Sequence, residues 1–221
     1  LNLTAVNDNP VAGSTSISLA NGSEDTSYTI QASQLLQGFS DVDGDSLAIG
    51  SISTDHGSIS LNADGISYTV LPEANYHGTV NVSYTVVDGQ GGSVNASTMF
   101  NLTAVNDNPV AGSTSVSLAN GTEDTNYTIT ASQLLQGFSD VDGDSLAIGN
   151  ISTDHGSISL NADGISYTVI PEANYHGAVN VSYTVVDGQG GSVNASTMFN
   201  LTSVNDNPVA GSTSISLANG S

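Results

Sequence analysis

The chain has 221 residues, 21 of them acidic, and no lysine, arginine or cysteine, for a formal charge of −21. That balance excludes a phosphate-reading nucleic-acid surface and binding to anionic membranes, and it makes cations the natural ligands. Without disulfide staples each fold has to be held by its core or by metal, and no stretch approaches the ~20 apolar residues of a membrane span.

The five residues Val6 to Pro10 recur as Val105 to Pro109 and as Val204 to Pro208, a spacing of 99 residues. This is a tandem array. Its full units are 10–108 and 109–207; residues 1–9 read as the end and linker of a preceding repeat, and 208–221 as the start of a following one. The array is expected to continue in both directions. Each unit has the size of a single domain. Eight positions differ between them, all mildly, as in Ile17/Val116, Leu71/Ile170 and Thr79/Ala178.

Within the first unit, runs rich in Val, Ile, Tyr and Thr alternate with clusters of Gly, Asn, Asp and Ser, the spacing of an all-β sandwich. The first predicted strand is 14–20, where Ile17 and Leu19 face one way and serines the other. A second covers 27–31, and residues 33–37 form one helical turn that tucks Leu35 and Leu36 under the sheets. Strands at 47–53, 58–61 and 66–71 follow, the last two joined by Asn62 to Gly65, whose Asp-Gly pair suits a hairpin turn. Strands at 80–87 and 94–105 flank the glycine-rich loop from Asp88 to Gly92. Seven strands result, with a core drawn from Val, Ile, Leu, Tyr68, Tyr84 and Phe100.

In an antiparallel sandwich, connections alternate between the two poles. One pole then collects Glu24, Asp25, Asp55 and Glu73, and the other Asp41, Asp43, Asp45, Asp64 and Asp88. The second unit repeats them, with Glu123, Asp124 and Glu172 at the first pole and Asp140, Asp142, Asp144, Asp163 and Asp187 at the second. Since the chain enters a unit at the second pole and leaves at the first, an end-to-end junction is expected to bring two acidic poles together around the linker. There Asn106, Asp107 and Asn108 add oxygen donors of the kind a hard cation takes. Asp8 and Asp206 hold the place of Asp107 in the other linkers. Two like charges ~4 Å apart cost about 4 kcal/mol at an effective dielectric near 20, against a domain stability of ~5–15 kcal/mol. A bound cation reverses the sign of that repulsion.

Calcium fits best, because it takes six to eight oxygens in irregular geometry, whereas zinc or copper favours cysteine or clustered histidine. The run from Asp41 to Asp45 resembles the start of an EF-hand loop, but Ser46 stands where that loop keeps glycine and Ile52 where it keeps glutamate. Further ligands must therefore come from other loops or the neighbouring unit. For Asp55 and Asp64 plain turn chemistry is the favoured reading.

Taken together these motifs resemble the cadherin-like tandem repeats, about a hundred residues each, of very large bacterial surface adhesins of the RTX type. The resemblance covers the whole chain. Asn106 to Pro109 is similar to the cadherin linker ending in Asn-Asp-Asn, and Asp140 with Asp142 to its Asp-x-Asp pair. Glu123 and Asp124 are placed like the early calcium-binding glutamate, and Asp187-Gly188 like the aspartate before the last strand. The resemblance implies calcium-stiffened spacers that project a ligand-binding tip away from the cell. A clean Asp-Arg-Glu motif is missing, and Glu73 or Glu172 is the nearest substitute.

The expected architecture is therefore all-β: tandem immunoglobulin-like or cadherin-like seven-stranded Greek-key sandwiches joined end to end. The expected role is an extracellular, cell-surface or secreted spacer with calcium as cofactor and adjacent repeats as partners. Neighbouring copies in a fibre or a cell-surface polysaccharide are further partners, and neither nucleic acid nor membrane insertion is expected. The alternative is a polysaccharide-binding or self-associating module, for which Tyr76 and Tyr175 are the only aromatic platform; the plainer expectation is that they pack beneath their loop. No nucleophile elbow or phosphate loop appears, so an enzyme is not expected. His56, His77, His155 and His176 fall beside acids at the first pole. A transition-metal site or pH switch is the sharper reading there, and ordinary surface histidines the plainer one.

Overall fold

The computed structural model describes residue 4 and residues 6–208. Residues 209–221 of the fragment expected to open a further repeat lie outside the described residues, as do 1–3 and 5. The chain divides into two units, Leu1–Val105 and Asn106–Ser221, so the division falls ahead of the expected boundary between Asn108 and Pro109.

In the first unit the elements are β1 (Val11–Ala12), β2 (Gly22–Ser23), β3 (Tyr28–Gln31), α1 (Ala32–Leu35), β4 (Phe39–Ser40), β5 (Ala48–Thr54), β6 (Ser58–Leu61), β7 (Ser67–Leu71), β8 (Gly78–Val87) and β9 (Ser93–Thr103). A four-stranded sheet in the order β2-β9-β8-β5 faces a three-stranded sheet in the order β3-β7-β6, and β1 pairs separately with β4. The second unit runs through the same elements from Val110–Ala111 to Ser192–Thr202. The helices of the described residues are single turns, and none is long and apolar enough to cross a membrane.

Strict alternation builds the core. Strand β8 buries Val80, Val82, Tyr84 and Val86 and turns Asn81 and Ser83 outward, while its partner β9 sets Phe100 opposite Val80 and Val94 opposite Val86. From the facing sheet come Ile30, Tyr68 and Val70. Each such aliphatic side chain contributes roughly 1.5–3 kcal/mol when fully buried. The Tyr28 and Phe100 rings stack across the two sheets at 4.1 Å.

The strand expected at 14–20 is not formed. Its place is taken by two short pairings: β1 runs antiparallel to β4, and β2 runs parallel to β9. The chain between them crosses from one partner to the other, so Leu19 is buried and Ile17 packs on the core while neither joins a ladder. Thr98 donates its hydroxyl hydrogen bond to the Ile17 carbonyl at 3.3 Å, satisfying part of that unpaired backbone. Period-two patterning reported the inward side chains correctly; it could not report that the backbone lacked one continuous neighbour.

The helical turn lies at Ala32–Leu35, one residue ahead of its expected start. Leu35 is fully buried, and the buried Tyr84 hydroxyl donates to the Leu35 carbonyl at 2.9 Å. That bond closes one of the carbonyls a helix end leaves open. The hairpin between β6 and β7 forms as expected, but it is Asp64 that organises it. Asp64 Oδ1 accepts from the N–H groups of Ile66 and Ser67, and Oδ2 accepts from the Ser67 hydroxyl at 2.6 Å. Asp55 is used in a similar way, accepting from the Nδ2 and backbone N–H of Asn81 at 2.7 and 2.8 Å. Both carboxylates serve the fold.

Two outcomes follow from these contacts. Tyr84→Phe or Tyr183→Phe leaves a buried carbonyl unsatisfied and should destabilise its own repeat by roughly 1–3 kcal/mol, read as a drop in Tm. The Ser67 hydroxyl, with the N–H groups of Ile66 and Ser67, holds the Asp64 carboxyl below its ordinary range. A group depressed in this way stabilises the fold fully above the unfolded value of about 3.9 and loses that effect as pH falls through the folded value. Tm measured from about pH 5 downward should therefore fall less steeply in Asp64→Asn, Asp163→Asn than in the parent chain.

Candidate metal centres at the poles of each repeat

Every acidic residue among the described ones lies outside the strands. At the leading pole the linker itself is part of the repeat. Asn7 donates from Nδ2 to Asp88 Oδ2 at 2.8 Å, the Asp8 N–H donates to Asp43 Oδ2 at 2.8 Å, and Asn9 Oδ1 accepts from the Ser93 N–H at 3.3 Å. In the second unit Asn106, Asp107 and Asn108 make the same three contacts, with Asp187, Asp142 and Ser192. The linker asparagines thus act through an amide donor and a loop-pinning carbonyl.

Asp88 is surrounded by donors. Its Oδ1 accepts from the N–H groups of Gln90, Gly91 and Gly92 at 2.7–3.0 Å, while Oδ2 is held by Gly92 and Asn7. A Cβ at position 92 would overlap that carboxylate, so only glycine lets the loop wrap it. The Asn7 amide and then the loop N–H groups hold the Asp88 carboxyl below its usual range. The same reasoning applies to Asp187, with Asn106 as the leading cause.

Asp41 has a different balance. Its Oδ1 accepts from the N–H groups of Asp43 and Asp45 at 2.9 and 3.4 Å, an Asx-type turn. Its Oδ2 is shielded from solvent and accepts no hydrogen bond, as is Oδ2 of Asp140. Asp41, Asp43 and Asp45 each offer one oxygen within 4.8 Å of the others, as do Asp140, Asp142 and Asp144. Loss of hydration, followed by the charges of Asp41, Asp43 and Asp88, raises the Asp45 pKa.

At the trailing pole Glu24 is the centre. It is 1% exposed, its N–H donates to the Thr103 carbonyl at 3.0 Å, and its Oε1 accepts from the Val105 N–H at 2.6 Å. One side chain thus clamps the exit of β9 where the chain becomes linker. Its Oε2 is buried and accepts no hydrogen bond, although His77 Nδ1 stands 3.4 Å away. Asp25 adopts φ +54° and accepts the Asn75 N–H at 2.9 Å. Glu123 repeats the arrangement on Val204 at 2.7 Å. In that unit the trailing linker is described as well: Glu123, Asp124 and Asp206 each place an oxygen within 4.8 Å of the other two.

The sequence-derived ligands therefore fall into separate groups. Asp41, Asp43 and Asp45 converge, as do Asp140, Asp142 and Asp144, and Glu123, Asp124 and Asp206. Asp88 and Asp187 are saturated by N–H donors instead. Glu73 and Glu172 join none of these groups; each exposed carboxylate accepts from a histidine, His56 or His155, at 3.4 Å. Tyr76 packs against the core and has His56 stacked on its ring at 3.7 Å, as the plainer expectation had it. The Val105 and Val204 N–H donors left no signature in the sequence, since any non-proline residue has one.

These groups fit calcium. Oxygens within 4.8 Å of one another can share an ion that binds each at 2.3–2.6 Å. An ionised carboxylate taken out of water needs hydrogen-bond donors or a countercharge, and this chain has no lysine or arginine to supply the latter. Glu24, Glu123, Asp41 and Asp140 each keep a shielded oxygen that no donor in the protein occupies.

Among curated proteins, none matches the sequence. Solved structures do: an endo-fucoidan hydrolase of glycoside hydrolase family 107 is similar at 22% identity over 89% of this chain, with a TM-score of 0.35. This chain spans 29% of the length of that enzyme. The EC1-3 fragment of protocadherin gamma C5 is similar at 11% identity, over 87% of this chain and 67% of that one, with a TM-score of 0.44. SGBP-B of the Bacteroides ovatus mixed-linkage glucan utilization locus, solved with a mixed-linkage heptasaccharide, is similar at 17% identity over 89% of this chain and 48% of its own, with a TM-score of 0.31. The family model described as cadherin-like domain matches residues 6–103 and again 105–202. Two tandem copies account for most of the sequence, and the chain belongs to the cadherin-like domain family.

Proposed function

We propose that this chain is a stretch of non-enzymatic spacer repeats in an extracellular rod or fibre, stiffened by calcium held where one repeat follows the next. The carrying observation is the pair of surroundings found for equivalent linker aspartates. Asp107, ahead of its repeat, donates its N–H to Asp142; Asp206, behind the same repeat, lies with Glu123 and Asp124. Since the linkers recur at a spacing of 99 residues, an internal linker aspartate would meet both surroundings at once and bridge ions bound on either side.

Near-identity of the repeats supports a structural role. Length can be built from copies, whereas distinct recognition sites need distinct surfaces. The likeness of the linker to the calcium linkers of bacterial adhesin repeats supports the same reading and a cell-surface location. Without an ion, repulsion between converging carboxylates favours a splayed linker; with one, the sign reverses.

Small-angle scattering of the 221-residue chain in calcium and then in chelator should give a longer, narrower distance distribution and a higher Tm with calcium. If neither maximum dimension nor Tm changes, the spacer reading is wrong. Asp107→Ala should broaden the distribution of angles between repeats in calcium, while the chelator-state Tm stays near that of the parent.

A further inference from the structure

The last strand of each repeat has one side that the fold leaves open. Thr103 turns its backbone toward β2, its carbonyl accepting the Glu24 N–H at 3.0 Å, and β2 pairs with β9 over Gly22 and Ser23 alone. Because backbone groups alternate sides along a strand, the N–H and C=O groups of Asn95, Ser97 and Met99 point to that same edge. Among the described residues none pairs with them there, since the chain crossing from β1 to β2 forms no ladder with β9 ahead of Gly22. Between the crossing chain and the edge runs a groove of about 380 Å³, with Thr15, Ser16 and Ile17 on one wall and residues 95–99 on the other. The second repeat has the same groove, of about 360 Å³, beside Asn194, Ser196 and Met198.

Edge strands are ordinarily guarded by shortness, a bulge, proline or charge. Strand β9 has none of these: it runs for 11 residues, keeps unbroken register with β8 over ten pairs, and contains neither proline nor a charged residue. The other edges are guarded. Strands β3 and β6 are four residues long, and β5 has a register shift between Ile49 and Ile52, with Asp55 at its end. We propose that the open edge of β9, and of its equivalent Ser192–Thr202, is a strand-addition surface whose occupant is the same edge of a second copy of the chain. Antiparallel pairing centred on Ser97 sets Asn95 opposite Met99, so each open N–H meets a C=O; such a contact is self-complementary, as a two-fold dimer requires. The groove leaves room beside the edge for the incoming strand. Electrostatics select this partner. The described acids all lie outside the strands, so residues 93–103 make an acid-free flank on a chain of charge −21, and two copies meeting there keep their acidic poles out of the contact. Recurrence of the edge at a spacing of 99 residues lets one pairing raise the effective concentration of the next.

This pairing needs no ion and does not rest on the calcium reading. Sedimentation velocity of the chelator-treated, calcium-free 221-residue chain over a concentration series tests it. The parent should shift from monomer to dimer as concentration rises, more readily at higher salt because screening weakens repulsion between the poles. Amide hydrogen exchange over residues 93–101 should slow with that shift. The double variant Ser97→Glu, Ser196→Glu puts like charges on the edge and should stay monomeric; both serines are exposed, so its Tm should remain near that of the parent. Met99→Glu, Met198→Glu, at side chains 61% and 54% exposed, should behave alike. The control Ser53→Glu, Ser152→Glu adds the same charge to exposed positions on β5 and its equivalent, and should dimerise as the parent does. A parent that stays monomeric at every concentration overturns the proposal, as does a Ser97/Ser196 variant that dimerises or a Ser53/Ser152 control that does not. Association weakened by salt overturns it too, since that would mark a contact between opposite charges. A chain that lengthens with calcium yet never pairs sinks this proposal alone, and one that pairs yet is unchanged by calcium sinks the spacer reading alone.

Discussion

A carboxylate that leaves water must be given a donor or a cation, and this chain has 21 of them with no lysine or arginine. That constraint sorts the acids by what the local backbone can offer. Where a tight loop presents N–H groups inward, the charge is absorbed by the fold: Asp55, Asp64 and Asp88 accept from backbone and from Asn or Ser side chains. Where the loop satisfies one oxygen and shields the other, a demand remains. Glu24, Asp41 and their second-repeat equivalents are of this second kind.

The linker gains its significance from the same balance. Asn7 and Asn106 neutralise nothing, but they complete the donor shell of Asp88 and Asp187. Glu24 performs the matching task at the other pole. By holding the Val105 N–H it fixes the direction in which β9 hands over to linker, and it does so with the carboxylate whose second oxygen is left over. One side chain therefore both anchors the chain and keeps an oxygen without a hydrogen bond. A metal bound there would act on the path of the chain as well as on its charge.

Much of the fold was legible. The period-two runs at β8 and β9 and the Asp-Gly turn at Asn62 to Gly65 depend on local chemistry alone, and the core named from Val, Tyr68, Tyr84 and Phe100 is the core found. The segment around Ile17 was legible only in part. Side-chain alternation tells which residues face inward, whereas a strand also needs a neighbour along its length, and here β4 supplies one end and β9 the other. No local pattern encodes that change of partner. Glu73 was legible in part: its position in a loop beside acids was readable, but its pairing with His56 depends on how the loop between β7 and β8 settles on the loop after β5.

The sequence by itself determined the repeat length, the all-β character, the acidic loops and the strongly negative charge, because each of these follows from periodicity, turn chemistry and composition. Only the tertiary structure decided which acids are spent and which are left over. Asp88 and Asp41 look alike in the sequence, each followed by glycine-containing turns, yet one is wrapped by a loop whose Gly92 admits a carboxylate against its backbone and the other keeps a shielded oxygen with no donor. The physical reason is that a hydrogen-bond shell is a three-dimensional property. The donors for Asp88 come from its own loop and from Asn7, distant in sequence, and the nitrogen facing Glu24 comes from His77 across the pole.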